Sequence, residues 1–372
     1  MIGLNSAASQ SASFWNVHLF GDTARYQIRG NLQETGFYFH DAARLPHIIH
    51  TVRTSNDDVV GLAEVWDDAM RREIQESVKA EYPYAYASPS APGIRKAIED
   101  FQNGFPRLAD LLFGSCGGIV NYFTKSHYAE GEPSLLSEIG SYLSEDLLVR
   151  GLAQWLRSSP VWGAGLLFLS RYPIVSAAFH PHETRADWEM LAAKGVIEAT
   201  VKGEEGIEWT YSLGHYQEGV TTRAERARGS QIRRARGRTL EVAGPLIHMG
   251  DFNVKAGSPE HQAMQRALRL NEVATGDTYV EPNLFQDKLQ APRAEDTKGQ
   301  RIDYFYHGDD MLVQSAEVFW DTFESRDGRV GQSDHARLRA RFFHRPAAAV
   351  PARIPARPRP APLVLEPVAA LV

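Results

Sequence analysis

A layered α/β fold is expected for this chain, and three observations carry the expectation. Strand and helix patterns alternate from Phe14 to Tyr82. The strand patterns there are short apolar runs, which suit strands buried on both faces. Strand patterns then return from Gly165 and recur as far as Phe343. Strands interleaved with helices build stacked α/β layers around one core.

Taken in order, Phe14 to Phe20 reads as a first strand after a polar lead, Met1 to Ser13. Asp41 to Arg53 has helical spacing in Leu45, Ile48, Ile49 and Val52. Val59 to Val65 is an apolar run after Asn56-Asp57-Asp58, and Ala69 to Tyr82 is an amphipathic helix pattern. Residues 90–160 break this rhythm and are expected to form a mostly helical insertion, with Cys116 in an apolar, Gly-rich stretch. Gly165 to Leu169 is a strand ending at Ser170-Arg171-Tyr172-Pro173. Val196 to Val201 and Glu208 to Leu213 form a hairpin pattern around Gly203 and Gly206. Thr221 to Val242 is a long Arg-rich helix pattern. Leu246 to Met249, Ile302 to His307, Val313 to Trp320 and Ala336 to Phe343 read as further strands. Residues 345–372 are rich in Pro and Ala and cannot continue a core element, so a disordered tail is expected after a catalytic domain at 14–344.

The composition narrows the function classes. With 372 residues, 43% of them hydrophobic and 23% charged, the chain can bury a sizeable core. The net charge of −6 argues against whole-surface affinity for nucleic acid but leaves room for a local basic patch. A single cysteine permits no intramolecular disulfide, and Cys116 reads as a small buried hydrophobe. Met1 to Ser13 lacks the basic start and apolar run of a signal peptide. No stretch reaches the roughly 18–20 apolar residues of a bilayer span, so a cytoplasmic location is the default expectation.

Four constellations carry chemistry. In Leu246-Ile247-His248-Met249-Gly250-Asp251-Phe252-Asn253, an apolar strand delivers an acid and then an amide two residues on. Residues two apart share a face of extended chain, so Asp251 and Asn253 can enter one cleft. A carboxylate there moves a proton or holds a metal, and an amide donates to phosphate without adding charge. Ser333-Asp334-His335 places an acid beside an imidazole at a strand mouth, which suits a base or a metal site. Asp303 lies inside the apolar strand Ile302 to His307, where an unpaired charge is costly, and His335 would supply a partner. Glu64 ends the run Val59 to Ala63, and hard divalent ions favour such oxygens.

In this order and spacing, these motifs resemble the endonuclease/exonuclease/phosphatase superfamily. The resemblance spans residues 14–344 apart from the insertion, and adds Asn16 on the first strand and His215 in Gly-His-Tyr-Gln. It implies a four-layer α/β sandwich of two packed mixed sheets flanked by helices. It also implies a phosphodiesterase with Mg²⁺ bound chiefly by Glu64, with Mn²⁺ or Ca²⁺ as alternatives. Asn16 would hold metal-bound water or phosphate and Asp334 would assist the metal or the imidazole. Asp251 and Asn253 would align water and phosphate, and His335 would be the base or the donor to phosphate, with Asp303 setting its tautomer. Gly214 stands where the family commonly has Thr before the His, which leaves His215 open to an ordinary strand-end reading.

The local run Glu64-Val65-Trp66 and the Gly-His-Tyr-Gln motif are similar to the neutral sphingomyelinase branch, so a lipid phosphodiester is the first substrate expectation. Apolar residues of the insertion, such as Phe101, Phe105 and Phe113, would then meet the bilayer interface. The rival expectation is a nuclease. Arg223, Arg226, Arg228, Arg233, Arg234, Arg236 and Arg238 crowd one segment, with Glu225 and Glu241 as the neighbouring acids. A third reading, of another class, is a catalytically inactive binding module. No obligate protein partner is evident.

Overall fold

A computed structural model describes residues 8–21, 25–28, 31–34, 40–90, 162–186, 189, 192–239, 242, 244–281, 298–325 and 328–345. The expected insertion, Cys116 and the Pro/Ala-rich tail beyond Arg345 lie outside the described residues.

In chain order the strands begin with β1 (Ser9–Leu19), β2 (Arg25–Ile28), β3 (Asn31–Glu34), β4 (Val59–Val65), β5 (Tyr84–Ala87) and β6 (Leu167–Ser170). They continue with β7 (Ile174–Pro181), β8 (Gly195–Lys202), β9 (Glu208–His215), β10 (Leu246–Asp251), β11 (Asn271–Glu272) and β12 (Tyr279–Glu281). The last are β13 (Lys298–Gln300), β14 (Asp303–His307), β15 (Met311–Phe319), β16 (Thr322–Ser325), β17 (Gly328–Gly331) and β18 (Arg337–His344). The helices are α1 (Asp41–Thr54), α2 (Asp68–Ser77), α3 (Thr222–Thr239) and α4 (Pro259–Leu268).

Two mixed six-stranded sheets form the body, in the orders β15-β18-β1-β4-β6-β5 and β11-β14-β10-β9-β8-β7. Each has one parallel pair at its centre, β1–β4 in the first and β9–β10 in the second, with antiparallel neighbours on both sides. The inner faces pack on each other. Phe14, Val59, Ala63 and Phe168 of the first sheet share one core with Trp209, Leu213, Met249 and Phe305 of the second. The outer faces are covered by helices. Leu45 and Ile48 of α1 and Ile74 of α2 pack on Trp15, Val17 and Leu62. Ile232 and Ala235 of α3 and Met264 and Leu268 of α4 pack on Phe252, Tyr304 and Tyr306. The layers are therefore helices, sheet, sheet, helices, as the resemblance implies.

The elements differ from the sequence expectation at identifiable places. Strand β1 starts at Ser9 rather than Phe14. Its polar start is buried between β18 and β4, and the side chains find partners there: Ser11 N and Oγ donate to Asp58 Oδ2 at 2.7 and 2.8 Å. Helix α2 stops at Ser77 instead of reaching Tyr82, because the chain turns at Val78, whose carbonyl receives the N–H groups of Glu81 and Tyr82. Strand β7 and helix α4 lie outside the sequence expectation. Strand β7 is a half-exposed edge without a clean alternation. Helix α4 carries a start signal in Ser258-Pro259, with Ser258 Oγ accepting His261 N at 3.0 Å.

A buried ion pair on α1 locks the loops that flank the C-terminal end of β1. Arg44 donates to the carbonyls of Val17 (2.9 Å), His18 and Gln332 (2.8 Å) and to Asp41 Oδ1 at 2.6 Å. Asp41 Oδ2 in turn accepts Phe20 N at 2.8 Å and Gly21 N at 2.6 Å. Both side chains are fully buried, so these hydrogen bonds are what offsets the loss of water around the two charges.

Candidate active site

The two central parallel pairs end at the same edge of the sandwich, and their last inward residues meet there. Side chains alternate along a strand, so a residue two beyond an inner-core residue also faces inward. Asn16 follows Phe14, His215 follows Leu213, and Asp251 follows Met249, each core residue lying in the inter-sheet cluster. Asp303 precedes Phe305 in the same way. Register brings the acids and the imidazole level: Asp251 pairs with His215 on one side and Asp303 on the other.

Glu64 breaks the rule. Leu62 and Val65 both face the outer helix layer, although they are three apart, because Glu64 is left-handed at φ 59°. That conformation turns its carboxylate into the cleft. Gly165 makes room for it: with φ 63°, a Cβ there would lie 3.2 Å from Glu64 Cα and 3.1 Å from the Trp66 ring.

Asn16 stitches the sheets together. Its Nδ2 donates to Glu64 Oε1 at 3.0 Å and to Asp251 Oδ2 at 3.1 Å. His215 Nε2 faces the same two oxygens at 3.6 and 3.7 Å. On the other side of Glu64, His18 Nδ1 lies 3.1 Å from Oε2 and 3.6 Å from Asp334 Oδ2. His335 Nδ1 is 2.8 Å from Asp303 Oδ2, so the expected pairing is present, and its Nε2 faces Asp251 Oδ2 at 4.0 Å. Ser333 Oγ ties the loop down by donating to the Asn16 carbonyl at 2.6 Å.

Asn253 reaches the site by a route other than the one expected. Strand β10 ends at Asp251, and Asn253 is left-handed at φ 53°, so no shared strand face joins the two. Instead the Asn253 N–H donates to Asp251 Oδ1 at 2.9 Å, and its Nδ2 donates to the Tyr216 carbonyl at 3.0 Å.

Burial and close charges set the protonation states. Burial opposes the charge on Glu64, but the His18 hydrogen bond, with His18, His215 and Lys194 nearby, holds its carboxyl well below the usual range. Burial works against the His335 cation too, yet Asp303, joined by Asp334 and Asp251, holds the imidazole well above its ordinary value. Burial and the neighbouring Asp303 push the Asp251 carboxyl up to about 8. Burial and the Lys194 charge push His215 well down, leaving a neutral ring.

The donor set fits a cation. His215 is fully buried and neither ring nitrogen has a hydrogen-bond partner. One donor atom each from Glu64, His215 and Asp251 lie within 4.8 Å of one another, as do those of Asp251, Asp303 and His335. Carboxylates converging on an unpartnered imidazole leave a position that a divalent ion satisfies and a hydrogen bond does not.

All eight residues singled out from sequence, Asn16, Glu64, His215, Asp251, Asn253, Asp303, Asp334 and His335, are at this edge, in the contacts given above. Asp334 Oδ2 faces His18 Nδ1 at 3.6 Å, and its charge also favours the protonated form of His335. Two further residues at the site are absent from the sequence reading. His18 stands two after Asn16, so strand period was an available signal. Lys194 is buried just before β8, donates to Glu189, and at 3.4 Å to the Tyr216 carbonyl that also receives Asn253. Its signal was a lone cation opening the apolar strand Val196 to Val201.

The Arg-rich helix looks different in three dimensions. Arg228 forms a two-pronged pair with Glu260 at 2.7 Å, Arg238 pairs with Glu198 at 2.8 Å, and Arg234 pairs with Glu183. Acids from other elements offset the charge, which neighbours in sequence did not disclose.

The profile of the Endonuclease/Exonuclease/phosphatase family matches residues 14–335. No curated protein matches the chain. Among solved structures, it is similar to beta toxin from Staphylococcus aureus, in a doubly substituted form with bound magnesium ions. That match has a TM-score of 0.56 and 15% identity, and covers 91% of this chain and 100% of that one. Sphingomyelinase C from Streptomyces griseocarneus matches with TM-score 0.55 and 16% identity over 90% of this chain and 99% of that one. A humanised TDP2 of D. rerio matches with TM-score 0.51 and 11% identity, over 90% and 98%. At these identities the likeness is one of fold.

Proposed function

The chain belongs to the endonuclease/exonuclease/phosphatase family and is a phosphoester hydrolase, and from that premise we propose that it is a divalent-cation-dependent phosphodiesterase acting on a lipid phosphodiester of the sphingomyelin type. The observation that carries the reaction is the line Asp303–His335–Asp251, with Nδ1 of the imidazole held at 2.8 Å and Nε2 turned to Asp251 beside the cation position. Asp303 accepts a hydrogen bond from the Nδ1–H, which leaves Nε2 to serve the reacting phosphate. In its protonated form His335 donates Nε2–H to a phosphate or leaving oxygen as charge grows there. Asp251 lies within reach of the same point and orients the attacking water and accepts its proton. Asn253, fixed by the Tyr216 carbonyl, leaves its amide at the mouth for a phosphate oxygen. A cation held by Glu64, with Asp251, Asp334 and the imidazoles facing Glu64, would neutralise the phosphate oxygens when bound, Mg²⁺ being the ion the resemblance implies.

Two things favour lipid. The Glu64-Val65-Trp66 and Gly-His-Tyr-Gln motifs are similar to the sphingomyelinase branch, and a sphingomyelinase C is among the similar folds. The nuclease reading is second. It rests on Arg223, Arg226 and Arg233, which are exposed on α3 and have no carboxylate pair among the described residues. The test is a side-by-side panel of sphingomyelin, phosphatidylcholine, abasic duplex DNA, plasmid DNA and bis-para-nitrophenyl phosphate, each with and without EDTA. Cation-dependent turnover of sphingomyelin and of the soluble diester is expected. Preference for either DNA would move the assignment to a nuclease, and no turnover of any substrate would leave a binding module.

A further inference from the structure

Tyr216 grips each of the residues Asp251, Phe252 and Asn253 in a different way. Its backbone N–H donates to the Asp251 carbonyl at 2.9 Å. Its ring stacks on Phe252, with centroids 4.6 Å apart and planes at 17°. Its carbonyl accepts Asn253 Nδ2 at 3.0 Å. We propose that Tyr216 and His248 are a positioning pair, in which the Tyr216 ring, anchored on the His248 imidazole, sets the place of the Asn253 amide. The proposal deepens the functional reading above and rests on it only for the statement that Asn253 meets a phosphate oxygen.

The anchor lies on the opposite face of the second sheet from the cleft. His215 and Asp251 face inward, and the next residue of each, Tyr216 and Phe252, packs beneath α3 and α4 with Ile232 and Met264. There the Tyr216 hydroxyl and His248 Nε2 are hydrogen-bonded at 2.7 Å, and both side chains are fully buried. Burial, with Arg238 and Arg236 nearby, pushes the His248 imidazole down to about 3, so it is neutral at pH 7. The His248 ring also lies 5.1 Å from that of Phe252. Phenol, imidazole and Phe252 are therefore one packed block, and a shift of any of them moves the turn that carries Asn253.

Gly214 supplies the space. A Cβ there would meet Tyr216 Cε2 at 2.5 Å and the Tyr216 hydroxyl at 2.9 Å, so the ring occupies the volume that a side chain at 214 would need. The departure from the family's usual Thr and the seat of the ring are one feature. Asn253 needs such support because it stands beyond the end of β10 with left-handed backbone, where no ladder partner fixes its side chain. The Tyr216 carbonyl takes one Nδ2 hydrogen and leaves the rest of the amide for a phosphate oxygen. A polar group aimed at a reacting phosphate loses most of its value when displaced by about 1 Å. A side chain locked by packing and a hydrogen bond prevents that displacement.

The test is a mutant cycle on the full chain, with bis-para-nitrophenyl phosphate as the soluble diester. Asn253→Ala should cost about 10²–10³ in kcat, the range for a lost hydrogen-bond donor at the reacting centre. Tyr216→Leu removes the ring and should lower kcat by about 10–10²-fold. Tyr216→Phe keeps the stack and loses the anchor, and should cost about 3–10-fold. Once the amide is gone, Tyr216 has nothing left to position, so either change in the Asn253→Ala background should cost less than about twofold. A merely structural role would repeat the full loss in that background and overturn the proposal. His248→Leu should match Tyr216→Phe, and the two together should cost no more than one alone; additive losses would dissolve the pair. Should Tyr216→Leu not fold, Tyr216→Phe carries the same cycle. A second readout needs no turnover. The Asn253 side-chain amide resonance in a nitrogen-15 spectrum, identified by its absence from Asn253→Ala, should shift in Tyr216→Phe. A shifted resonance in a protein that hydrolyses no diester would sink the functional reading and leave this one standing. Diester turnover with an unmoved resonance would do the reverse.

Discussion

His335 acts through its neighbours. Its Nδ1 is committed to Asp303, a carboxylate with no exposed surface, and that charge is what keeps the imidazole protonated well above its ordinary value against the cost of burial. The sign of the consequence follows. Asp303→Asn keeps a hydrogen bond but removes the charge, so the imidazole loses its proton at lower pH, and the alkaline limb of the pH–rate profile should move toward acid. His335→Ala should cost about 10²–10⁴ in kcat/KM, the range for a lost acid–base group. Because the two act as one unit, the double variant should cost little more than His335→Ala alone. Full additivity in that cycle would dissolve the pair as a functional unit. Glu64 makes the complementary point. A non-glycine residue in the left-handed region stores about 1–3 kcal/mol of strain, and here the strain turns the carboxylate inward.

Two glycines decide how closely the central strands of the second sheet approach. Gly214 and Gly250 are paired across β9 and β10, one rung before His215 and Asp251. A Cβ on Gly250 would lie 2.0 Å from the Gly214 carbonyl oxygen, and one on Gly214 would lie 2.5 Å from the Tyr216 ring. The Thr that the family commonly has before its His does not fit beside Tyr216. Gly250→Ala should destabilise by at least about 1–3 kcal/mol in urea unfolding and should lower activity, because the next rung is the site. Gly237→Ala on α3, with nothing within 4 Å of the new Cβ, is the control and should be neutral or stabilising by up to about 1 kcal/mol. Equal losses from the two changes would mean that the tight approach is unimportant. At the same scale, α3 shows how an element's charge is read wrongly in isolation: its arginines meet Glu183, Glu198 and Glu260, none of which lies within the helix.

The site belongs to neither sheet. Asn16 and Glu64 come from the first and His215, Asp251 and Asp303 from the second, so the cation position forms only when the sheets are stacked. An ion that binds the folded chain alone stabilises it by about 2.7 kcal/mol at a hundredfold excess over its Kd. At about 2–4 °C per kcal/mol for domains of 150–250 residues, Tm should rise by several degrees on adding the divalent ion and fall back with EDTA. Glu64→Gln keeps the shape and removes the charge, so its Tm shift should shrink and its metal midpoint rise. A shift of the same size in both proteins would remove Glu64 from the cation position. Among the described residues no helix is long and apolar enough to cross a membrane.

The alternation of strand and helix patterns, the apolar runs of the central strands and the two-residue period that carries Asn16, His215, Asp251 and Asp303 inward are local properties, and the amino-acid order determined them. The motifs at Glu64, at 250–253, at 301–304 and at 333–335 were legible for the same reason: short segments of strand and turn hold their chemistry within a few residues. What only the tertiary structure decided depends on contacts distant in sequence. The left-handed turn at Glu64 answers to Gly165, the arginines of α3 answer to acids on other elements, and Asn253 is held by Tyr216 rather than by a strand face. His18 gained its place only when Glu64 and Asp334 closed on it from two other segments. Period and burial are written into neighbouring residues, whereas charge compensation and ligand geometry arise only where separate strands converge.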